Sequence, residues 1–169
     1  KNKAVINPKG VFAMRGVTGF IFPYLNGVQG VSPAPYAEHI FLGGSSNVRG
    51  WGKNRLGPYV CEGCLNDNGR QVSADIVPIG GTASLWGSLE YRHYTPDGYG
   101  VVLFNDWGML WELPEEFNVR ELSPSVGIGG RYRSPIGSLR LDVARNLNQE
   151  ARFAAEDNWT VHFSMAEAF

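Results

Sequence analysis

The chain has 169 residues and a mass of 18.6 kDa, with 22 Gly, 10 Pro, 12% aromatic and 18% charged residues and a formal net charge of -1. That length fits one domain or part of one, and a charged share below the roughly 25% of ordinary soluble domains, beside abundant aromatics, excludes a disordered chain. Basic residues number 15 against 16 acidic ones, so no excess exists to neutralise phosphates and no nucleic-acid partner is expected.

No apolar run approaches the ~18 residues of a membrane-spanning helix, and Gly or Pro interrupts almost every window long enough for several helical turns. What remains is a soluble β domain or a transmembrane β-barrel, and the mean hydropathy of -0.19 suits both. Lys1 has no signal-peptide pattern behind it, so the sequence reads as a processed chain or a fragment.

In chain order, residues 1–9 contribute a strand only if the count reaches eight. Residues 10–22 and 36–42 read as strands, joined by a stretch containing Pro23, Asn26, Gly27, Gly30, Pro33 and Pro35. From Gly43 to about Gly81 no strand is expected, and so long a loop is usually functional. From 83 to 92, Ala83, Leu85, Leu89 and Tyr91 lie opposite Ser84, Trp86, Ser88, Glu90 and Arg92. From 99 to 111, Tyr99, Val101, Leu103, Trp107, Met109 and Trp111 lie opposite Gly100, Val102, Phe104, Asp106, Gly108 and Leu110. Val126, Ile128 and Tyr132 then oppose Gly127, Gly129, Arg131 and Arg133, and the tight-turn signal Ser134-Pro135-Ile136-Gly137 leads into Leu139, Leu141 and Val143 opposite Arg140 and Asp142. The closing strand, about 157–169, places Trp159, Val161, Phe163, Met165 and Phe169 on one face and Thr160, His162 and Ser164 on the other.

Each of these five strands has one apolar face and one face of Gly, Ser, Arg, Asp and Glu. Lys occurs only at positions 1, 3, 9 and 53. Arg paired with single carboxylates fits a barrel interior better than a solvated sheet, because the planar guanidinium binds carboxylate in bidentate fashion where screening is weak. Tyr91, Tyr94, Tyr99, Trp107, Trp111 and Trp159 lie near strand ends, as aromatic girdles require, although the core of a β-sandwich also favours aromatics.

Cys61-Glu62-Gly63-Cys64 lies in the long loop without the βαβ context of a redox motif or a second ligand pair for zinc, so a Cys61–Cys64 disulfide is expected, in an oxidising compartment. His39, His93 and His162 have no neighbouring nucleophile and read as ordinary polar positions, and Glu115 and Glu116 diverge in a turn. No catalytic residue, metal or cofactor is expected. Gly43 to Trp51 is Gly-rich but lacks the Gly-Lys-Ser/Thr ending of a phosphate loop.

That segment carries a resemblance. Glu38-His-Ile-Phe-Leu-Gly-Gly-Ser-Ser-Asn-Val-Arg-Gly-Trp51 resembles the loop-six segment of the BamA/TamA superfamily of outer-membrane assembly and secretion barrels, with Val48, Arg49, Gly50 and Trp51 matching its VRG-aromatic tetrad. Ser88-Leu-Glu-Tyr-Arg92, Asp106-Trp-Gly108, Gly127 to Gly137, Leu139 to Asp142 and His162 to Phe169 resemble the family's later strands in order, with Ala166 where the family commonly has Gly.

The resemblance implies an all-β fold, a transmembrane antiparallel β-barrel of sixteen strands, of which residues 1–169 would be the C-terminal seven or eight as a half-barrel or short form. The family barrel usually follows periplasmic POTRA domains, for which these residues show no pattern. The resemblance also implies that Arg49 reaches into the lumen toward acidic partners, and the period-two reading independently puts Glu90 and Asp106 on the polar face. It implies a non-enzymatic role in inserting or translocating polypeptides at the outer membrane, with residues 159–169 as the client edge. The implied partners are client outer-membrane or secreted polypeptides, the lipid bilayer with its lipopolysaccharide, and accessory lipoproteins or a second copy of the chain. The alternatives are a short half-barrel that self-associates, a passive small pore, or a soluble sandwich.

Overall fold

The computed structural model describes residues 10–22, 34–62, 75–134, 137–148 and 158–166. Six strands form one antiparallel sheet: β1 (Gly10–Phe20), β4 (Ala83–Tyr94), β5 (Tyr99–Trp111), β6 (Ser123–Ser134), β7 (Gly137–Asn146) and β8 (Trp159–Ala166), in the order β1-β4-β5-β6-β7-β8. Two short strands, β2 (Tyr59–Glu62) and β3 (Asp75–Pro78), pair as a separate hairpin between β1 and β4. Except for that hairpin, each strand pairs with its next neighbour in sequence, and β1 and β8 are not paired with one another among the described residues.

Alternation decides which way the sheet faces. The even positions of β4 and β5 are turned inward, and Val102, Phe104 and Asp106 are buried there, while Leu89, Val101 and Leu103 between them are exposed. The outward side chains of all six strands are mostly apolar and include Phe12 at 85%, Met14 at 81% and Phe163 at 70% exposure. An apolar face of that extent is unstable against water and stable against hydrocarbon. Strands β1, β4, β5 and β6 have 11 to 13 residues, enough to cross a bilayer at a tilt, for which ~9 to 11 suffice. The connections are asymmetric. Residues 95–98 close β4 onto β5 with Thr95 N donating to Tyr99 O, whereas residues 21–82 and 112–122 form long connections at the opposite end.

Two expectations about the first half are corrected. Residues 36–42 do not form a strand: Tyr36–Glu38 is a 3-10 turn following Pro35, and only the single bridges Ile40 to Gly81 and Leu42 to Leu56 follow it. Here the apolar side chains pack into the core without a continuing backbone ladder. The loop from 43 to 81 is not free of strands, because β2 and β3 pair within it. At four residues each, they are too short for alternation to reveal.

The aromatic girdle is also corrected at two positions. Trp111 is buried at 3% exposure, covered by Phe117 at 4.7 Å and donating to Glu121 Oε2, and Tyr94 lies on the inner side beneath the Arg133 guanidinium at 4.2 Å. Tyr91, Tyr99, Trp107 and Trp159 do stand on the outer face, where Trp107 covers Gly87. Residues 1–9, the turn residues Pro135 and Ile136, Cys64 and Phe169 lie outside the described residues.

Candidate functional site

The segment between β1 and the β2–β3 hairpin turns back onto the inner face of the sheet. Asn47 shapes its tip, its Oδ1 accepting from Gly43 N at 2.9 Å and Val48 N at 2.7 Å, while Trp51 N donates to Val48 O. This turn delivers Val48, Arg49, Gly50 and Trp51 together, each buried.

Arg49 is 2% exposed, and each of its guanidinium nitrogens meets an oxygen. Nε donates to Asp106 Oδ2 and Nη2 to Asp106 Oδ1, both at 2.6 Å, which is the parallel bidentate geometry of the strongest ion pairs. The backbone N of Arg49 adds a third bond to Oδ2 at 3.1 Å. Nη1 lies 2.7 Å from Glu90 Oε1 and 3.7 Å from Asp142 Oδ2. Ser88 completes the ring, its Oγ accepting from Nη2 at 3.0 Å and donating to Asp106 Oδ1 at 2.6 Å. The guanidinium also lies 3.5 Å from the centroid of the Phe104 ring, a cation–π contact away from water.

Burial opposes the charge on Arg49. The hydrogen bond and charge of Asp106, helped by Glu90 and Asp142, outweigh it, so the guanidinium pKa is raised above its ordinary value. Arg49 is therefore charged at any physiological pH. Asp106 is fully buried, so removing either partner strands a charge in a low-dielectric site, at about 3 to 5 kcal/mol.

Apolar contacts seat the rest of the motif. Val48 and Trp51, both at 0% exposure, join Leu42, Leu56, Trp86, Met109, Leu110 and Trp111 in one cluster. Two glycines are steric requirements. A Cβ on Gly50 would stand 2.2 Å from Ser125 Cβ, and one on Gly108 would stand 2.8 Å from Val48 Cγ2. The Asp106-x-Gly108 spacing thus combines the carboxylate that holds Arg49 with the vacancy that admits Val48.

A second ion cluster lies beside the first. Asp142, fully buried, accepts from Arg131 Nη1 at 2.5 Å and Arg140 Nε at 2.6 Å, and Arg140 Nη2 donates to Ser45 O at 3.1 Å. Glu90 likewise pairs with Arg92 at 2.6 Å. The loop is therefore tied to β7 as well as to β4 and β5.

The structure brings Val48, Arg49, Gly50, Trp51, Glu90 and Asp106 into one site. Trp159, Val161, Phe163 and Met165 lie elsewhere, exposed on the outer face of β8. Cys61 falls in β2, and its pairing with Cys64 lies outside the described residues. No group of three metal-ligating side chains exists among the described residues. Sequence reasoning did not single out Ser88, Phe104, Asp142, Thr160 or His162 as site residues. All five were detectable as inward positions of strands already identified.

A family model described as the Omp85 superfamily domain matches residues 3–169. The outer membrane protein assembly factor BamA of Nitratidesulfovibrio vulgaris is 32% identical over 144 residues, which cover 83% of this chain and 17% of that protein. The chain thus spans a small part of the length of this curated relative. The crystal structure of BamA from Haemophilus ducreyi lacking POTRA domains 1-3 matches with a TM-score of 0.64 at 21% identity, over 94% of this chain and 32% of that one. That likeness speaks for the fold, an all-β barrel of which the six-stranded sheet is a part. Inward arginines and carboxylates, an outward apolar band and a family match over nearly every residue agree: the chain belongs to the Omp85 superfamily of outer-membrane β-barrels.

Proposed function

We propose that this chain is the loop-six and seam portion of a barrel that inserts or translocates other polypeptides at the outer membrane, by a non-enzymatic mechanism. The observation that carries the reading is the burial of Arg49 against Asp106 and Glu90, because so many aligned contacts fix one loop in one place inside a lumen. Such a loop braces the wall of the barrel while a strand at its seam exchanges partners. An edge in lipid that lacks a partner is costly, so it templates an incoming strand by β-augmentation. The strand at 159–169 is that edge, with Trp159, Val161, Phe163 and Met165 facing lipid or client. The partners are client outer-membrane or secreted polypeptides, lipid and lipopolysaccharide, and accessory lipoproteins. The Cys61–Cys64 disulfide would stiffen the outer loop in the oxidising space beyond the inner membrane.

The test is Arg49→Ala in the full-length native protein. Loop six is expected to become protease-sensitive and client insertion to fall; unchanged protection and insertion would mean that the anchor has no part in function. Cross-links from the closing strand to client barrels are expected in an active preparation, and their absence would remove this strand from the mechanism.

A second reading rests on the edges of β1 and β8, which do not pair with each other among the described residues. Two copies of a short form pairing edge to edge would also satisfy them. The intact mass of the native polypeptide separates the two: about this chain's own mass favours self-association, and several times more favours a conventional assembly barrel.

A further inference from the structure

The guanidinium of Arg49 is committed to β4 and β5, but its backbone carbonyl meets the opposite side of the sheet. Thr160 Oγ1 donates to Arg49 O at 2.5 Å, and His162 Nε2 lies 2.9 Å from the same oxygen. A carbonyl oxygen has two lone pairs and no proton, so His162 must carry its proton on Nε2 and both acceptor sites of Arg49 O are filled. Thr160 and His162 are two residues apart on β8 and share its inner face, while Trp159, Val161 and Phe163 between and beside them point outward.

The sheet is built to let the loop reach that far. One cross-strand row runs Glu90, Phe104, Gly127, Ala144, Thr160 from β4 to β8. The first two carry the Arg49 side chain, the middle two have little or no side chain, and the last binds its carbonyl. A Cβ on Gly127 would stand 2.2 Å from Phe104 Cζ, so the ring already fills the space above β6. Ala144 is fully buried. The main chain of the motif passes over β6 and β7 at the nearby Ser125–Asn146 pair, on which Gly50 packs. One residue therefore joins β4 and β5 through its side chain to β8 through its backbone.

We infer that Thr160 and His162 are positioning residues that tie the closing strand to the loop-six motif, so that loosening of the seam strand and release of the loop are coupled events. The structural half of this inference stands on the contacts alone. Its meaning for client handling rests on the function proposed above.

The experiment uses the full-length barrel in lipid vesicles and reads two quantities, amide hydrogen exchange along β8 and protease resistance of loop six. In Thr160→Val/His162→Leu both donors are lost while the guanidinium keeps its carboxylates. β8 exchange is then expected to rise by about tenfold or more with loop six still protected, since two net hydrogen bonds are removed from an edge strand. Thr160→Ser/His162→Gln keeps an O–H and an N–H at the same places and is expected to restore slow exchange. If the double variant does not fold, the single variants carry the same comparison.

Unchanged exchange in the donor-free variant would overturn the tie, and so would equal acceleration in the donor-retaining variant, which would make it a packing effect. Accelerated exchange with unchanged client insertion would leave the tie standing and refute instead the reading of β8 as the client edge.

Discussion

The Val48–Trp51 turn and strand β8 lie side by side under opposite physical conditions. Arg49 is buried, hydrogen-bonded through its backbone N and O and through Nε and Nη2, ion-paired through Nη1 to Glu90, and covered by an aromatic ring. The outward side chains of β8 are 59% to 70% exposed, and its backbone ladder runs only to β7 among the described residues. The first region has one arrangement of low energy, because its buried charges are paired with one another inside it. The second has many, because one fluid hydrocarbon neighbour replaces another at little cost. The two regions are adjacent and joined by two hydrogen bonds, and the strand exchange proposed above would need both.

The largest expected effect comes from breaking the fixed region. Asp106→Ala leaves Arg49 buried without its bidentate partner and removes the acceptor of three of its N–H groups and of Ser88. A loss of about 3 to 5 kcal/mol is expected in urea unfolding of the barrel in vesicles, with loop six becoming cleavable by external protease. Wild-type stability in this variant would mean that the carboxylate does not neutralise Arg49.

Gly50→Ala comes next. The added methyl overlaps Ser125 Cβ, so the motif must lift or β6 must shift, at about 1 to 3 kcal/mol. Combining it with Ser125→Gly removes the obstructing atom and is expected to recover most of that loss in the same unfolding assay. Failure of the pair to recover would place the strain elsewhere in the loop.

The sequence made the two regions legible to different degrees. Period-two alternation gave the five strands from 83 onward and the inward setting of Glu90 and Asp106, because parity fixes the face even when strand ends are uncertain. The family tetrad then supplied the cation that these carboxylates receive. The β2–β3 hairpin and the bridges near Ile40 were not legible, since strands of a few residues exist only through their partners. Nor was the role of His162, which reads as an ordinary polar position. Its acceptor is a backbone carbonyl 113 residues away, and a main-chain atom leaves no mark on side-chain patterning. The Trp111 girdle assignment failed because proximity to a strand end does not reveal that Phe117 and Glu121 fold over it.

The smallest effects give the sharpest comparison, because one chemical change can be made on both faces of the sheet. Phe104→Leu removes the ring beneath the Arg49 guanidinium and leaves space above Gly127, and a loss of about 1 to 2 kcal/mol is expected from the cation–π contact and imperfect refilling. Phe163→Leu, at 70% exposure on the outer face of β8, makes the same trim where lipid refills the space, and less than about 1 kcal/mol is expected. Urea midpoints of the two variants in one vesicle composition measure the difference directly. If Phe163→Leu were the more costly, the closing strand would be packed against a defined neighbour. It would then belong with the fixed region, and an exchangeable seam would have to be sought at another strand.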